Sequence, residues 1–126
     1  MPEFTGREDP GPSSAGVIAA YNTGMTFEEF RISLNDPASA ANLPPLLAAM
    51  WWDALADWNR AHELAQDVGS ADGAWVHAYL HRKEGDAGNA SYWYGQAGKP
   101  DSRLPLDAEW EEIVRALLAS GAPSPK

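Results

Sequence analysis

The chain contains no cysteine. That excludes disulfides, thiolate nucleophiles and cysteine-ligated zinc or iron–sulfur centres. It has no run approaching the roughly eighteen apolar residues of a membrane span, and its opening, MPEFTGREDP, lacks the charged-then-apolar pattern of a secretory signal. A cytoplasmic protein with no membrane partner is the expectation. Basic charge is scarce too: 9 Lys and Arg against 18 Asp and Glu give a net charge of −9, which argues against a nucleic-acid partner held through its phosphates. The balance is uneven, with 3 basic and 11 acidic groups in residues 1–73 but 3 and 2 in residues 74–100. Arg82 and Lys83 are the cations best placed to meet an anion, although such a pair is more often a solvated helix face. The glycines form no G-x-G-x-x-G or Walker spacing and no serine sits in a G-x-S-x-G turn, so no phosphate-binding or nucleophile motif supports an enzyme and no cofactor is expected.

What remains suits one small all-α domain. The length of 126 residues, 44% hydrophobic, leaves no room for two domains, and no segment alternates with period two. Residues 1–15 and 120–126 are rich in proline, glycine and serine and read as flexible tails around a single helical domain at 16–119. Thr26 and Glu29 form a T-x-x-E capping box before a helix that turns Phe27, Phe30 and Leu34 to one side, with Met25 placed to staple onto Phe30. Asn35-Asp36-Pro37 ends that helix and a polar connection follows. Pro44 and Pro45 suit the first turn of the next, whose run from Leu46 to Leu55 is apolar on nearly every side and predicts deep burial.

Sliding the sequence on itself by 29 residues brings Ala49 onto Ala78, Asp57 onto Asp86, Ala61 onto Ala90 and Gly69 onto Gly98. Small residues allow close helix contact, Asp caps a helix start and Gly follows a helix end, so the unit reads as a helical hairpin used twice, at about 44–69 and 73–98. Residues 107–119 form a cap helix, with acids in its first turn and Trp110, Ile113, Val114, Leu117 and Leu118 on one side. The segment AWVHAYLHRKEGDAGNASYWYGQAGKP, residues 74–100, resembles a tetratricopeptide-type repeat. Gly85-Asp86 falls at its turn, Ala78 and Ala90 at its small positions, Tyr94 at its aromatic, then Ala97 and Pro100. Ala74, His77 and His81 stand where that pattern has Trp, Leu and Tyr. The strings WVHAYLHRKEGD and NASYWY are also similar to a family of small bacterial proteins with no assigned activity. These resemblances imply two hairpins in a right-handed tetratricopeptide-like stack, with an N-terminal helix before it and the cap helix after it.

Two sets of residues carry functional expectations. The tetratricopeptide resemblance implies that the first helix of each hairpin lines a concave binding face, here Met50, Asp53, Trp75, Tyr79, Arg82 and Lys83. The leading expectation is therefore a non-catalytic module that binds a protein or peptide, or a second copy of itself, on that face, unless an N-terminal segment fills the groove. Six tryptophans supply anchors or core in large measure. The alternative is a metal-binding protein or metal-dependent enzyme. His77-x3-His81 puts two imidazoles on one helix face, Glu84 extends the stripe, and His62 lies on the helix before it. Separate satisfaction of each ring by backbone, Asn or Tyr would mark the histidines as structural, whereas convergence of their nitrogens within about 4 Å would favour a metal. Asp57 and Asp86 are assigned to helix capping.

Overall fold

A computed structural model describes residues 24–120, and among them the chain is all-helical, with no strand. The order is α1 (Phe27–Ser33), a 3-10 helix (Pro37–Asn42), α2 (Pro45–Ala54), α3 (Trp58–Gln66), α4 (Ala71–Lys83), α5 (Ala87–Ala97) and α6 (Leu106–Ser120). The tail expected at 1–15 lies outside the described residues, as do 121–126, and Ser120 closes α6 instead of opening a tail. No helix among the described residues is long and apolar enough to cross a membrane.

Local chemistry explains most boundaries. In α1 the Thr26 hydroxyl accepts from the Glu29 amide at 3.1 Å while the Glu29 carboxylate accepts from the Thr26 amide at 2.9 Å, a complete capping box. Phe27 and Phe30 turn inward. The stretch expected as a polar connection is a 3-10 helix instead, because Asp36 accepts from the Ala38 amide and Pro37 supplies a first residue that needs no N–H partner. Pro45 opens α2 in the same manner, and every residue from Leu47 to Trp51 is buried, as the all-round apolar pattern predicts.

Helices α2 and α3 form one hairpin and α4 and α5 another. Their turns repeat each other at the 29-residue spacing. Asp57 and Asp86 have φ, ψ of −101°, 75° and −97°, 78°. Their amides donate to the carbonyls of Trp52 and His81, both at 2.9 Å, and their carboxylates accept from the amides of Arg60 and Asn89. The residue before each takes a left-handed conformation: Ala56 at φ 67° and Gly85 at φ 94°. Ala49, Ala61, Ala78 and Ala90 are all buried, which lets the backbones approach. The equivalence stops at the hairpin ends. Gly98 follows α5 at φ 73°, but Gly69 has no positive φ, because the chain leaves α3 through Asp67 and passes close over the next helix. The glycine needed there is Gly73, where a Cβ would sit 2.1 Å from the Val68 carbonyl oxygen. Helix α6 lies across α2 and α4 and touches α1.

The two turns predict opposite responses to opposite substitutions. A non-glycine residue held left-handed costs about 1–2 kcal/mol. Ala56→Gly therefore raises the urea midpoint, by up to about 1 kcal/mol after the added flexibility of the unfolded chain, and Gly85→Ala lowers stability by about 1 kcal/mol or more. Equal and same-signed effects would contradict the shared turn geometry.

Candidate functional site

Helix α4 is buried continuously from Gly73 to His81, and it carries two stripes of different chemistry. Residues 77, 81 and 84 follow one another along one side, and residues 75, 79 and 82 along another.

On the first side the three histidines converge. His62 comes from the middle of α3 and His77 and His81 from successive turns of α4, so the contact between these two helices brings the rings together. The Nε2 atoms of His62 and His77 are 2.8 Å apart. His77 and His81 stack at 4.9 Å between ring centres, and His62 meets His81 nearly edge-on at 5.2 Å. One ligand-capable atom from each ring lies within 4.8 Å of the other two. Two indoles wall the cluster: Trp93 of α5 stacks on His77 at 4.1 Å and Trp58 of α3 on His62 at 4.8 Å. Trp58 is itself anchored, because its indole N–H donates to the Leu80 carbonyl at 2.8 Å. A hollow of about 200 Å³ bordered by Gln66, Ser70, His77, Trp93 and Gln96 adjoins this stack.

Electrostatics favour the neutral form of His62 and His77. Burial, and secondarily the His62 and His81 rings beside it, push His77 down to about 4. Burial followed by His81 lowers His62 as well, against the weaker opposing pull of Glu84 and Glu63. His77 is therefore neutral at neutral pH, the charge state in which imidazole binds a metal, and one of His62 and His77 donates to the other across their 2.8 Å contact. Glu84 joins through a hydrogen bond, its Oε2 lying 2.7 Å from His81 Nδ1. Asp86 also comes near His81 and Glu84, but its carboxylate oxygens accept from the Asn89 amide and the Asn89 side chain, as its capping role requires. All four residues expected to serve a metal are thus gathered in one place. Sequence reading did not assign Trp58 and Trp93 to the site. The spacing of Trp58 and His62, four apart on one helix, was the available signal for the first.

The second stripe carries most of the residues expected to form a binding face, and four of the six are buried. Met50, Asp53, Trp75 and Tyr79 are all at most 5% exposed, because α6 covers them. The Trp110 indole donates to the Met50 carbonyl at 3.1 Å. Asp53 accepts from Tyr79 Oη at 2.8 Å and from Lys83 Nζ at 2.9 Å, and burial together with Asp53 raises the Tyr79 hydroxyl well above its ordinary value. Arg82 donates to Glu109 at 2.7 Å and also to the Leu104 carbonyl. Glu109, wholly buried, accepts further from Tyr94 Oη at 2.6 Å and Trp75 Nε1 at 3.3 Å. Met50, Asp53, Trp75 and Tyr79 are therefore buried, while Arg82 and Lys83 are ion-paired to Glu109 and Asp53 and remain partly exposed and exposed, respectively. The first-turn acids of α6 read alike in sequence. Only the three donors that α4 and α5 present to Glu109 set it apart from the partly exposed Glu111 and the exposed Glu112.

Compared with known protein families, with curated proteins and with solved structures, the chain shows no match.

Removing the Glu109 carboxylate takes the ion-pair partner from a partly buried guanidinium and strands two buried donors, Tyr94 Oη and Trp75 Nε1. Glu109→Ala is expected to lower stability by about 3–5 kcal/mol, and Glu109→Gln, which keeps one acceptor oxygen, by less. Chemical denaturation followed by circular dichroism measures both, and a loss under about 1 kcal/mol for Glu109→Ala would contradict the buried network.

Proposed function

We propose that the protein binds one divalent transition-metal ion, of the zinc class, through His62, His77 and His81. The observation that carries this reading is the convergence of three imidazoles from two helices, with two ring nitrogens at 2.8 Å and the full set of ligand atoms within 4.8 Å. Among the described residues, the hydrogen bonds of the three rings run from His62 to His77 and from His81 to Glu84, with no backbone, Asn or Tyr partner. Neutral imidazole nitrogens suit zinc, copper and nickel, and a chain without cysteine has no softer donors to offer. The indole walls support the same reading, since rings held by stacking lose little further freedom when a metal arrives.

The scaffold beneath the site we read as tetratricopeptide-like, a reading supported by the equivalent turns at Ala56-Asp57 and Gly85-Asp86. A protein or peptide partner then docks outside the face covered by α6.

Zinc titration of untagged, chelator-treated protein tests the proposal. One equivalent binds, thermal stability rises with zinc concentration, by about 2.7 kcal/mol at a free metal concentration one hundred times Kd, and His62→Ala or His77→Ala abolishes the rise while helical circular dichroism persists. Binding that is absent, or unaltered by both substitutions, would overturn it.

A further inference from the structure

We infer that the metal centre is an open one: protein supplies three imidazole nitrogens, Glu84 orients His81 without binding the metal, and the remaining coordination position takes a small exogenous anionic ligand. This rests on the metal-binding reading above and says what kind of centre it is.

His81 fixes the orientation of the set. Its Nδ1 lies 2.7 Å from Glu84 Oε2, the length of a charge-assisted N–H···O bond, and that contact places the ring proton on Nδ1. The lone pair left to a neutral ring is then on Nε2, the same atom that His62 and His77 turn towards each other. A metal that displaces the proton held between the His62 and His77 Nε2 atoms would meet a nitrogen of each ring, with a carboxylate behind the His81 ring, the carboxylate–histidine–metal arrangement in which the carboxylate fixes tautomer and ring orientation and strengthens the donor. The i, i+3 spacing suits this, since Glu84 is the C-cap residue of α4 and reaches back one turn to His81.

The number of donors leaves the centre open. Three protein ligands leave a tetrahedral ion one position short, and a closed structural site would have four. Asp86 is held by Asn89, and among the described residues the only histidines are the three already used. Charge selects what fills the remaining position. Neutral imidazoles do not offset a divalent ion, and among the described residues the carboxylate hydrogen-bonded to the set is Glu84, with the exposed Asp86 near His81 and already bonded to Asn89. A loaded centre therefore keeps positive charge, which favours hydroxide, a carboxylate or a similar small anion over a neutral ligand. The cluster is reachable from water, because Glu84 is exposed and His62 partly so.

Cobalt(II) as the metal and azide as the probe anion test this. Cobalt titration of the full-length protein is expected to give one equivalent with visible d–d bands, and azide to change those bands saturably. Glu84→Gln keeps the stoichiometry of one and the azide response, weakens cobalt affinity by about 10–100-fold and shifts the band positions, because the His81 donor is altered. Glu84→Asp recovers part of the affinity. Cobalt bands indifferent to azide, or a Glu84→Gln protein that binds with unchanged affinity or fails to bind stoichiometrically while still folded, would overturn the open, Glu84-oriented centre. Absence of any cobalt binding by the unaltered protein would instead strike the metal-binding proposal itself.

Discussion

The structure depends on one buried carboxylate. Glu109 of α6 accepts from Arg82 and Trp75 of α4 and from Tyr94 of α5, so a single side chain joins the last helix to both helices of the second hairpin. Burying a charge is unfavourable unless it is paired and hydrogen-bonded, and here both carboxylate oxygens are engaged. Asp53 has a related role in the first hairpin, joining α2 to Tyr79 and Lys83 of α4. Helix α4 is thereby fixed from one side by polar bonds as well as by apolar packing. Its opposite side is left to α3 and α5, and there His77 and His81 meet His62 and the two indoles. The precision of the histidine cluster follows from this arrangement. A helix held on three sides cannot roll, so imidazoles one turn apart keep their register against the ring on the neighbouring helix.

Much of this was legible in the sequence because it is decided locally. Thr26 and Glu29 form a capping box whatever surrounds them, and Asp57 and Asp86 cap helices with their own side chains. The 29-residue repetition was readable for the same reason, although Ala56 shows that a turn can take a left-handed residue without glycine when the hairpin around it demands one. Gly69 misled, since a glycine near a helix end signals a left-handed cap only when the chain turns back there. The short helix at Pro37–Asn42 was missed because a 3-10 segment of six residues carries too few apolar positions for a period to show.

The burial of Met50, Asp53, Trp75 and Tyr79 was not legible, for a different reason. Met50, Trp75 and Tyr79 have the pattern of a helix that presents aromatics to a neighbour, and pattern does not say whether that neighbour is a partner or the chain's own last helix. The answer lay some thirty residues away in Glu109, one of several acids in a first turn where acids favour the helix dipole anyway. The proximity of the three histidines was legible because spacing limits it more tightly. Residues four apart on a helix share a face, and consecutive helices in a hairpin stack touch, so His62, His77 and His81 had few other places to be. Glu84 was legible as a neighbour of the set, but its bond to the outer nitrogen of His81 was not, since sequence spacing cannot tell which edge of a ring a carboxylate meets.

Tryptophan has a double role in so small a domain. Trp51 lies in the core and Trp75 beneath the cap, while Trp58 and Trp93 stand on either side of the histidines and hold two of the rings by stacking. Whether these held rings form a metal site is tested most directly by anomalous diffraction at the zinc edge from crystals grown with zinc. A single strong peak is expected about 2.0–2.1 Å from Nε2 of His62, His77 and His81, with Glu84 still bonded to His81 Nδ1. An intact His62–His77 hydrogen bond with no anomalous density between the rings would contradict it.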